Sequence, residues 1–276
     1  DARLVRYAGI DPDKLPALVP VDAIAGTVLP DVAREIGVSP DTPVITGLND
    51  TQAGGVATAA FHGSHAAISL GSTSVMITHV PRKRTDVRHA ILSMPSPVPG
   101  TCFVMAENGT GAGGLDHLLD ELDPTGAEGA QERYARIERM VEQAPPGSGG
   151  VLYLPWLGGS MAPRADGRMR GGFLNVGLAT TRAELARSVL EGIALNLRWL
   201  RAPVERFVKR RFSHFVLYGG GAASDAWAQI LADVLDAPVH QAERPQYAAA
   251  VGAGMLAFQR LGLLGFDDFA SRLAIR

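Results

Sequence analysis

Apolar and polar positions along the 276 residues fall into two rhythms. Short unbroken apolar runs, the pattern of strands buried on both faces, predict strands at Val44–Leu48, Ala66–Leu70, Val75–Val80, Cys102–Glu107, Val151–Leu154 and His214–Tyr218. Shorter strands are expected at Phe173–Leu178 and Pro238–Gln241. Between them, helical spacing predicts Pro30–Ile36, Asp50–Ala60, Leu115–Leu122, a continuation to Val141 after a break at Asp123-Pro124-Thr125-Gly126, then Ser224–Leu235 and Tyr247–Leu261. The longest helix opens at Thr180 or Thr181, where Thr181-Arg-Ala-Glu184 has the form of a capping box and Leu185, Val189, Ile193, Leu197 and Leu200 share one face. Apart from Pro30–Ile36, residues 1–42 read as irregular, because Pro12, Pro16 and Pro20 break long elements. Strands alternating with helices imply an α/β fold, a mixed sheet flanked by helices.

Composition narrows the partners. A net charge of -2 gives no general attraction to nucleic acid or to an anionic membrane surface. No apolar run is long enough to span a bilayer, and no stretch of these residues reads as a signal peptide. The lone Cys102 fits a reducing cytoplasm. The first residue is Asp1 rather than Met, so the chain is expected to be cut from something longer.

Four loops carry the candidate chemistry. Asp50 stands where the Val44–Leu48 strand becomes a small-residue helix, a place where α/β folds handle ligands. It is a candidate general base or, equally in kind, a helix cap. Gly71, Ser72, Thr73 and Ser74 join two strands, offering backbone N–H groups and hydroxyls to an anion, or forming a plain polar turn. Gly109-Thr-Gly111-Ala-Gly-Gly114 matches the dinucleotide fingerprint between a strand and a helix. The next strand comes too late for that unit and lacks its acid, so close helix packing is the better account. Gly219, Gly220, Gly221 and Ala222, followed by Ser224, strip side chains from a strand-to-helix junction and admit something large and flat. Arg164 and Asp166 are polar loop residues, with solvated charge the commoner outcome.

In this order the pieces resemble the FGGY carbohydrate kinases, of the ribonuclease-H-like, actin-like ATPase fold. Thr46-Gly-Leu-Asn-Asp50 is similar to the family's catalytic-aspartate segment, and Ser69-Leu-Gly-Ser-Thr-Ser74 to its second phosphate hairpin. Tyr153-Leu-Pro-Trp-Leu-Gly-Gly-Ser160, Arg170-Gly-Gly-Phe173 and Arg187-Ser-Val-Leu-Glu-Gly-Ile-Ala194 resemble its signature region. Gly219-Gly-Gly-Ala222 with Trp227–Asp233 resembles its adenosine motif. Within the family the pieces resemble the xylulokinase-like branch. Thr51 stands where the family commonly has Gln or Asn, and Gly159-Ser-Met-Ala-Pro163 lacks the family's usual charges. The family's opening Asp-x-Gly-Thr loop has no counterpart.

The resemblance implies residues 1–62 as the tail of an N-terminal domain and 63–276 as the C-terminal, nucleotide-binding domain. It implies a cytoplasmic, ATP- and Mg²⁺-dependent kinase acting on a sugar or polyol, most nearly a pentulose such as xylulose, and it leaves a homodimer open. Asp50 would be the base, Asp50 and Thr51 would meet the sugar, Gly71–Ser74 the phosphates, and Gly219–Ala222 with Ser224 the adenosine. With the missing N-terminal domain as its partner the chain would be active, and by itself inactive. Two alternatives from other classes are a non-catalytic actin-like nucleotide-binding module and a dinucleotide-dependent oxidoreductase working through Gly109–Gly114.

Overall fold

Two stretches of chain organise themselves separately in the computed structural model, which describes residues 1–122, 130–272 and 275–276: Asp1–Leu48 and Asn49–Arg276. The break expected at Asp123–Gly126 lies outside the described residues.

The first stretch is more regular than its prolines suggest. Helix α1 (Ala2–Tyr7) is capped by the Asp1 side chain, which accepts from the Arg3 N–H. Strand β1 (Ile24–Thr27) and strand β2 (Pro43–Ile45) form an antiparallel ribbon around helix α2 (Pro30–Ile36). Pro30 opens α2, and Gly37, at φ 74°, closes it. The prolines at 12, 16 and 20 therefore flank α1 and β1 rather than interrupt them. The strand expected at Val44–Leu48 ends at Ile45 and is not buried, with Val44 41% exposed. It pairs with one short neighbour, so an apolar run here does not mean two covered faces.

The second stretch begins with helix α3 (Asp50–Ala57), three residues shorter than its small-residue pattern predicts. Strands β3 (Ala66–Leu70), β4 (Ser74–Val80), β5 (Thr85–Asp86), β6 (Ile91–Pro95) and β7 (Cys102–Asn108) follow, then helices α4 (Ala112–Leu122) and α5 (Ala130–Gln143). A small antiparallel pair, β8 (Leu152–Leu154) and β9 (Gly172–Leu174), precedes the long helix α6 (Arg182–Val208). Strand β10 (Phe215–Tyr218), helix α7 (Asp225–Leu235), strand β11 (Val239–Gln241), helix α8 (Ala248–Arg260) and helix α9 (Phe266–Arg272) complete it. Strands β5 and β6 are not among the strands the sequence predicts. Helix α6 runs past Leu200 through Pro203, and α9 is unforeseen.

The seven-stranded sheet has the order β11-β10-β3-β4-β7-β6-β5. Strands β11, β10 and β3 are parallel and the others antiparallel, as expected of a mixed sheet. Strand alternation gives it two covered faces. Ile68, Leu70 and Met76 pack with Ile193, Leu197 and Leu200 of α6 and Trp227 and Leu231 of α7. Ala67, Val75 and Ile77 pack with Ala57, Ala60 and Ala248 on the other side. The Thr181 capping box is formed, with the Glu184 N–H donating to the Thr181 hydroxyl and the Glu184 carboxylate accepting from the Thr181 N–H.

Candidate functional site

The β3–β4 turn is closed by the Gly71 N–H, which donates to the Thr73 carbonyl at 3.0 Å. The turn's own carbonyls then hold the start of α4. Ala112 N–H donates to Gly71 O at 2.7 Å, and Gly111 and Gly113 N–H both donate to Ser72 O, at 2.9 and 3.3 Å. A methyl at Gly111 would lie 2.4 Å from the Thr73 carbonyl, and one at Gly113 3.0 Å from Ser72 O. These glycines exist for the hairpin to seat against them, and their amides are already spent. A pyrophosphate needs both the space and the amides, so the dinucleotide alternative at Gly109–Gly114 is overturned. Ser72 is exposed and Thr73 half-buried, whereas Ser74 is fully buried and its hydroxyl donates to Thr110 O at 3.4 Å. Ser72 and Thr73 are therefore the outward members of the turn, and Ser74 braces it from within.

The second glycine loop divides in the same way. Gly219 has φ 93°, and a methyl on it would lie 2.7 Å from Leu70 O; one on Gly221 would meet the Trp227 ring at 2.7 Å. Only Gly220 of the three has open space beside it. The N-terminus of α7, which the sequence aims at a ligand, is satisfied by protein groups. Ser224 Oγ accepts from the Trp227 N–H at 3.0 Å, and Glu138 Oε1 accepts from the Ala226 N–H at 2.9 Å.

Between the two loops lies a cavity of about 490 Å³. Gly71, Ser72, Gly220 and Ser224 form its rim, while Leu115, Ile137, Leu190 and Trp227 make a mostly apolar wall. The size suits a small organic ligand and the wall a flat apolar one. At one edge Tyr134 Oη donates to Asp116 Oδ1 at 2.7 Å. The Trp227 indole is buried within this wall, and its Nε1–H has no acceptor among the described residues. The α4–α5 wall is what sequence reasoning misses, because its residues show only ordinary helical spacing.

Asp50 is not the cap of α3. Asn49 is, with Oδ1 accepting from the Gln52 N–H at 2.8 Å. Asp50 is the first helical residue, exposed, with Oδ1 accepting from the Thr51 N–H at 2.7 Å and the Thr51 hydroxyl at 3.3 Å. A carboxylate in the first turn is favoured by the helix dipole. Close packing fixes the helix behind it. A methyl at Gly54 would lie 2.3 Å from the Tyr218 ring, and one at Gly55 2.9 Å from Phe103. One at Gly252 of α8 would lie 1.8 Å from Ala53 O. Tyr218 Oη donates to Thr51 O at 3.4 Å, so the residue before the Gly219 loop touches the turn that carries Asp50. Burial raises the Tyr218 phenol above its usual range, and the Asp50 charge adds to the rise.

Other punctuating residues are structural. Glu191 accepts from Gly147 N–H, Ser148 Oγ and Arg187 Nε, at 2.9, 2.7 and 2.7 Å. Asn196 accepts from the Trp156 indole at 3.4 Å. Asp166 accepts from the Arg168 N–H at 2.9 Å. Among the described residues no three His, Cys, Asp or Glu side chains converge as a metal site.

Residues 66–260 match the FGGY family of carbohydrate kinases, C-terminal domain, and residues 1–57 match its N-terminal domain. The chain is 25% identical to a gluconokinase of Bacillus subtilis over 98% of its length and 53% of the relative's. It is 29% identical to a xylulose kinase of the same organism, over 90% and 48%. A crystal structure of xylulose kinase from Rhodospirillum rubrum superposes with a TM-score of 0.76 at 27% identity, covering 100% of this chain and 54% of that one. Plasmodium falciparum glycerol kinase with ADP, at 17% identity, shares the fold with a TM-score of 0.79 over 100% and 54%. The chain thus spans about half the length of the curated relatives it matches.

Proposed function

We propose, starting from the premise that the chain belongs to the FGGY family of carbohydrate kinases, that the whole protein transfers the γ-phosphoryl group of ATP to a hydroxyl of a sugar or polyol. A pentulose such as xylulose is the first choice of acceptor, supported by the xylulose kinase relatives. A sugar acid is the second, supported by a gluconokinase match that spans 98% of the chain.

One juxtaposition carries the mechanism. An exposed carboxylate freed from capping stands on a helix keyed to Tyr218, and the next residue of the chain opens the loop beside the nucleotide-sized cavity. Adenine and ribose lie along Gly220 and the wall containing Trp227. The hydroxyls of Ser72 and Thr73 bind phosphate oxygens, on a turn that the Gly71 N–H closes onto the Thr73 carbonyl and that buried Ser74 keeps in place. Asp50 takes the proton of the attacking hydroxyl as its oxygen bonds to the γ-phosphorus and the bond to the ADP oxygen breaks. Thr51 holds the Asp50 carboxylate through its N–H and hydroxyl and borders the acceptor. Mg²⁺ bound with the nucleotide would neutralise phosphate charge. A boundary between domains at 62/63 is supported by the two family matches, which end at 57 and resume at 66, whereas the chain's compact units divide earlier, between Leu48 and Asn49. A cytoplasmic location suits such an enzyme, and no helix among the described residues is long and apolar enough to cross a membrane.

Asp50→Asn in the whole protein tests the assignment. ATP binding should be nearly unchanged while phosphorylation falls at least about a hundredfold, the usual scale of a general base. Near-normal turnover would remove Asp50 from the chemistry.

A further inference from the structure

A second cleft, of about 540 Å³, opens elsewhere in the same unit and shares no lining residue with the nucleotide cavity. Three separate segments build it: Arg88 and His89 between β5 and β6, Pro163 and Arg164 in the loop after β8, and Trp199 and Arg206 on α6. Among the described residues no carboxylate lines it. The nearest acid on its own segment, Asp86, is committed to His89, whose Nδ1 lies 2.7 Å from Asp86 Oδ2. Glu205, next to Arg206, is buried and committed to Arg201, Arg211 and the Phe212 N–H.

The contrast with other arginines of α6 is informative. Arg187 and Arg201 each pair with a glutamate four residues on, and Arg198 donates to the Val234 carbonyl. Arg88, Arg164 and Arg206 have no ion pair or side-chain hydrogen bond among the described residues. Three exposed arginines from distant segments line this one cleft, and an anion lying among them would offset the mutual repulsion of their like charges. Guanidinium forks match phosphate oxygens bidentately. Trp199 is 41% exposed and offers a flat apolar surface, with Trp156 packed edge-on at 6.3 Å behind it. Cationic walls beside an indole and a proline suit a ligand with anionic groups and a carbon skeleton.

We propose that this cleft binds a small organic phosphate, held by Arg88, Arg164 and Arg206 through its phosphate and by Trp199 through its carbon frame. The site is independent of the kinase assignment.

Titration of the 276-residue chain with ribose 5-phosphate, pyrophosphate and inorganic phosphate, followed by calorimetry and tryptophan fluorescence, tests it. Ribose 5-phosphate should bind saturably, and more weakly as salt rises. Arg164→Gln with Arg206→Gln should weaken it at least about tenfold, the scale of a lost charge-assisted contact, while ATP titration stays unchanged. Both arginines are exposed, so the variant should stay folded, which circular dichroism checks. Trp199→Ala should weaken ribose 5-phosphate and leave pyrophosphate unaffected. Gly220→Val, which blocks the nucleotide cavity, should leave ribose 5-phosphate binding intact. Three results would each overturn the proposal: no saturation below about 10 mM, binding indifferent to the arginine changes, or inorganic phosphate binding as tightly as ribose 5-phosphate.

Discussion

Gly252→Ala sets two magnitudes against each other. Gly252 lies inside α8, where replacing glycine by alanine should stabilise a helix by about 1 kcal/mol from propensity alone. Here the added methyl would sit 1.8 Å from Ala53 O and 2.7 Å from its carbon, both backbone atoms of α3, where 3.0 Å is the practical floor. The helices must part by about 1.2 Å. Overpacking of that kind costs roughly 1–3 kcal/mol, more where backbone cannot yield. Because the contacted atoms are backbone the cost falls at the upper end of that range, so the clash wins and the variant should be less stable by about 2 kcal/mol net. Gly254 supplies the control, since it lies two residues on in the same helix and a methyl there meets nothing within 4 Å. Gly254→Ala should therefore gain up to about 1 kcal/mol. Urea unfolding of both variants beside the parent reads the pair directly, with unchanged slope showing that only stability moved. If Gly252→Ala matched or exceeded the parent in stability, the close seating of α3 on α8 would be wrong. The same shift displaces the helix bearing Asp50, so under the proposed function the variant should also lose turnover, since a misplacement of about 1 Å can cost about a hundredfold in rate.

Other outcomes follow from the same structure. Gly220→Val should leave the fold intact and weaken ATP binding measured by calorimetry, because its side chain would enter open space at the cavity rim; unchanged affinity would remove this loop from the nucleotide site. Burial lowers His79 to about 4, with the Arg210 charge acting in the same direction. Above pH 6.5 the folded and unfolded states are both neutral at this group. As pH falls from 6.5 to about 4 the unfolded chain takes up the proton first, so the fold loses up to about 3 kcal/mol, and the loss levels off below that. His79→Phe should flatten this limb in stability measured against pH, and an unchanged limb would refute it. Glu205→Ala should destabilise by about 1–3 kcal/mol, chiefly by leaving the buried Phe212 N–H unpaired; burial pushes the Glu205 pKa up, but bonds from Phe212 N–H, Arg201 and Arg211 outweigh this and hold it low. Chemical unfolding measures the loss, and a change below about 1 kcal/mol would contradict it.

Much of the second unit was legible because its strands are buried on both faces. Ala66–Leu70 matches the predicted strand, and Val75–Val80 differs from β4 only at its first residue. Toward the sheet's edge the signal fails: β5 is only two residues long and includes the charged Asp86, and β6 alternates buried and exposed positions and ends in Pro95. The glycine loops were legible as places and not as parts. Sequence reasoning gave all three of Gly219–Gly221 to the ligand, but Leu70 and Trp227 claim two of them through contacts formed only in three dimensions. Asn49 and Asp50 are both good capping residues, and only the backbone geometry decides which of two neighbours holds the Gln52 N–H. The cavity's far wall was unreadable, because facing residues on α4, α5 and α6 are separated by up to 75 positions in the chain (Leu115 to Leu190) and look like any buried helical stripe.

The joint between the β3–β4 turn and α4 also has a meaning in time. The amide hydrogens of Gly111, Ala112 and Gly113 are held by carbonyls of Gly71 and Ser72 rather than by their own helix. They can exchange with solvent only when the turn lifts away from the helix, and that same separation takes the cavity's rim off its wall. These three consecutive amides are thus a clock built into the backbone. Their exchange rate counts how often the cavity loosens, with no probe attached and no ligand required.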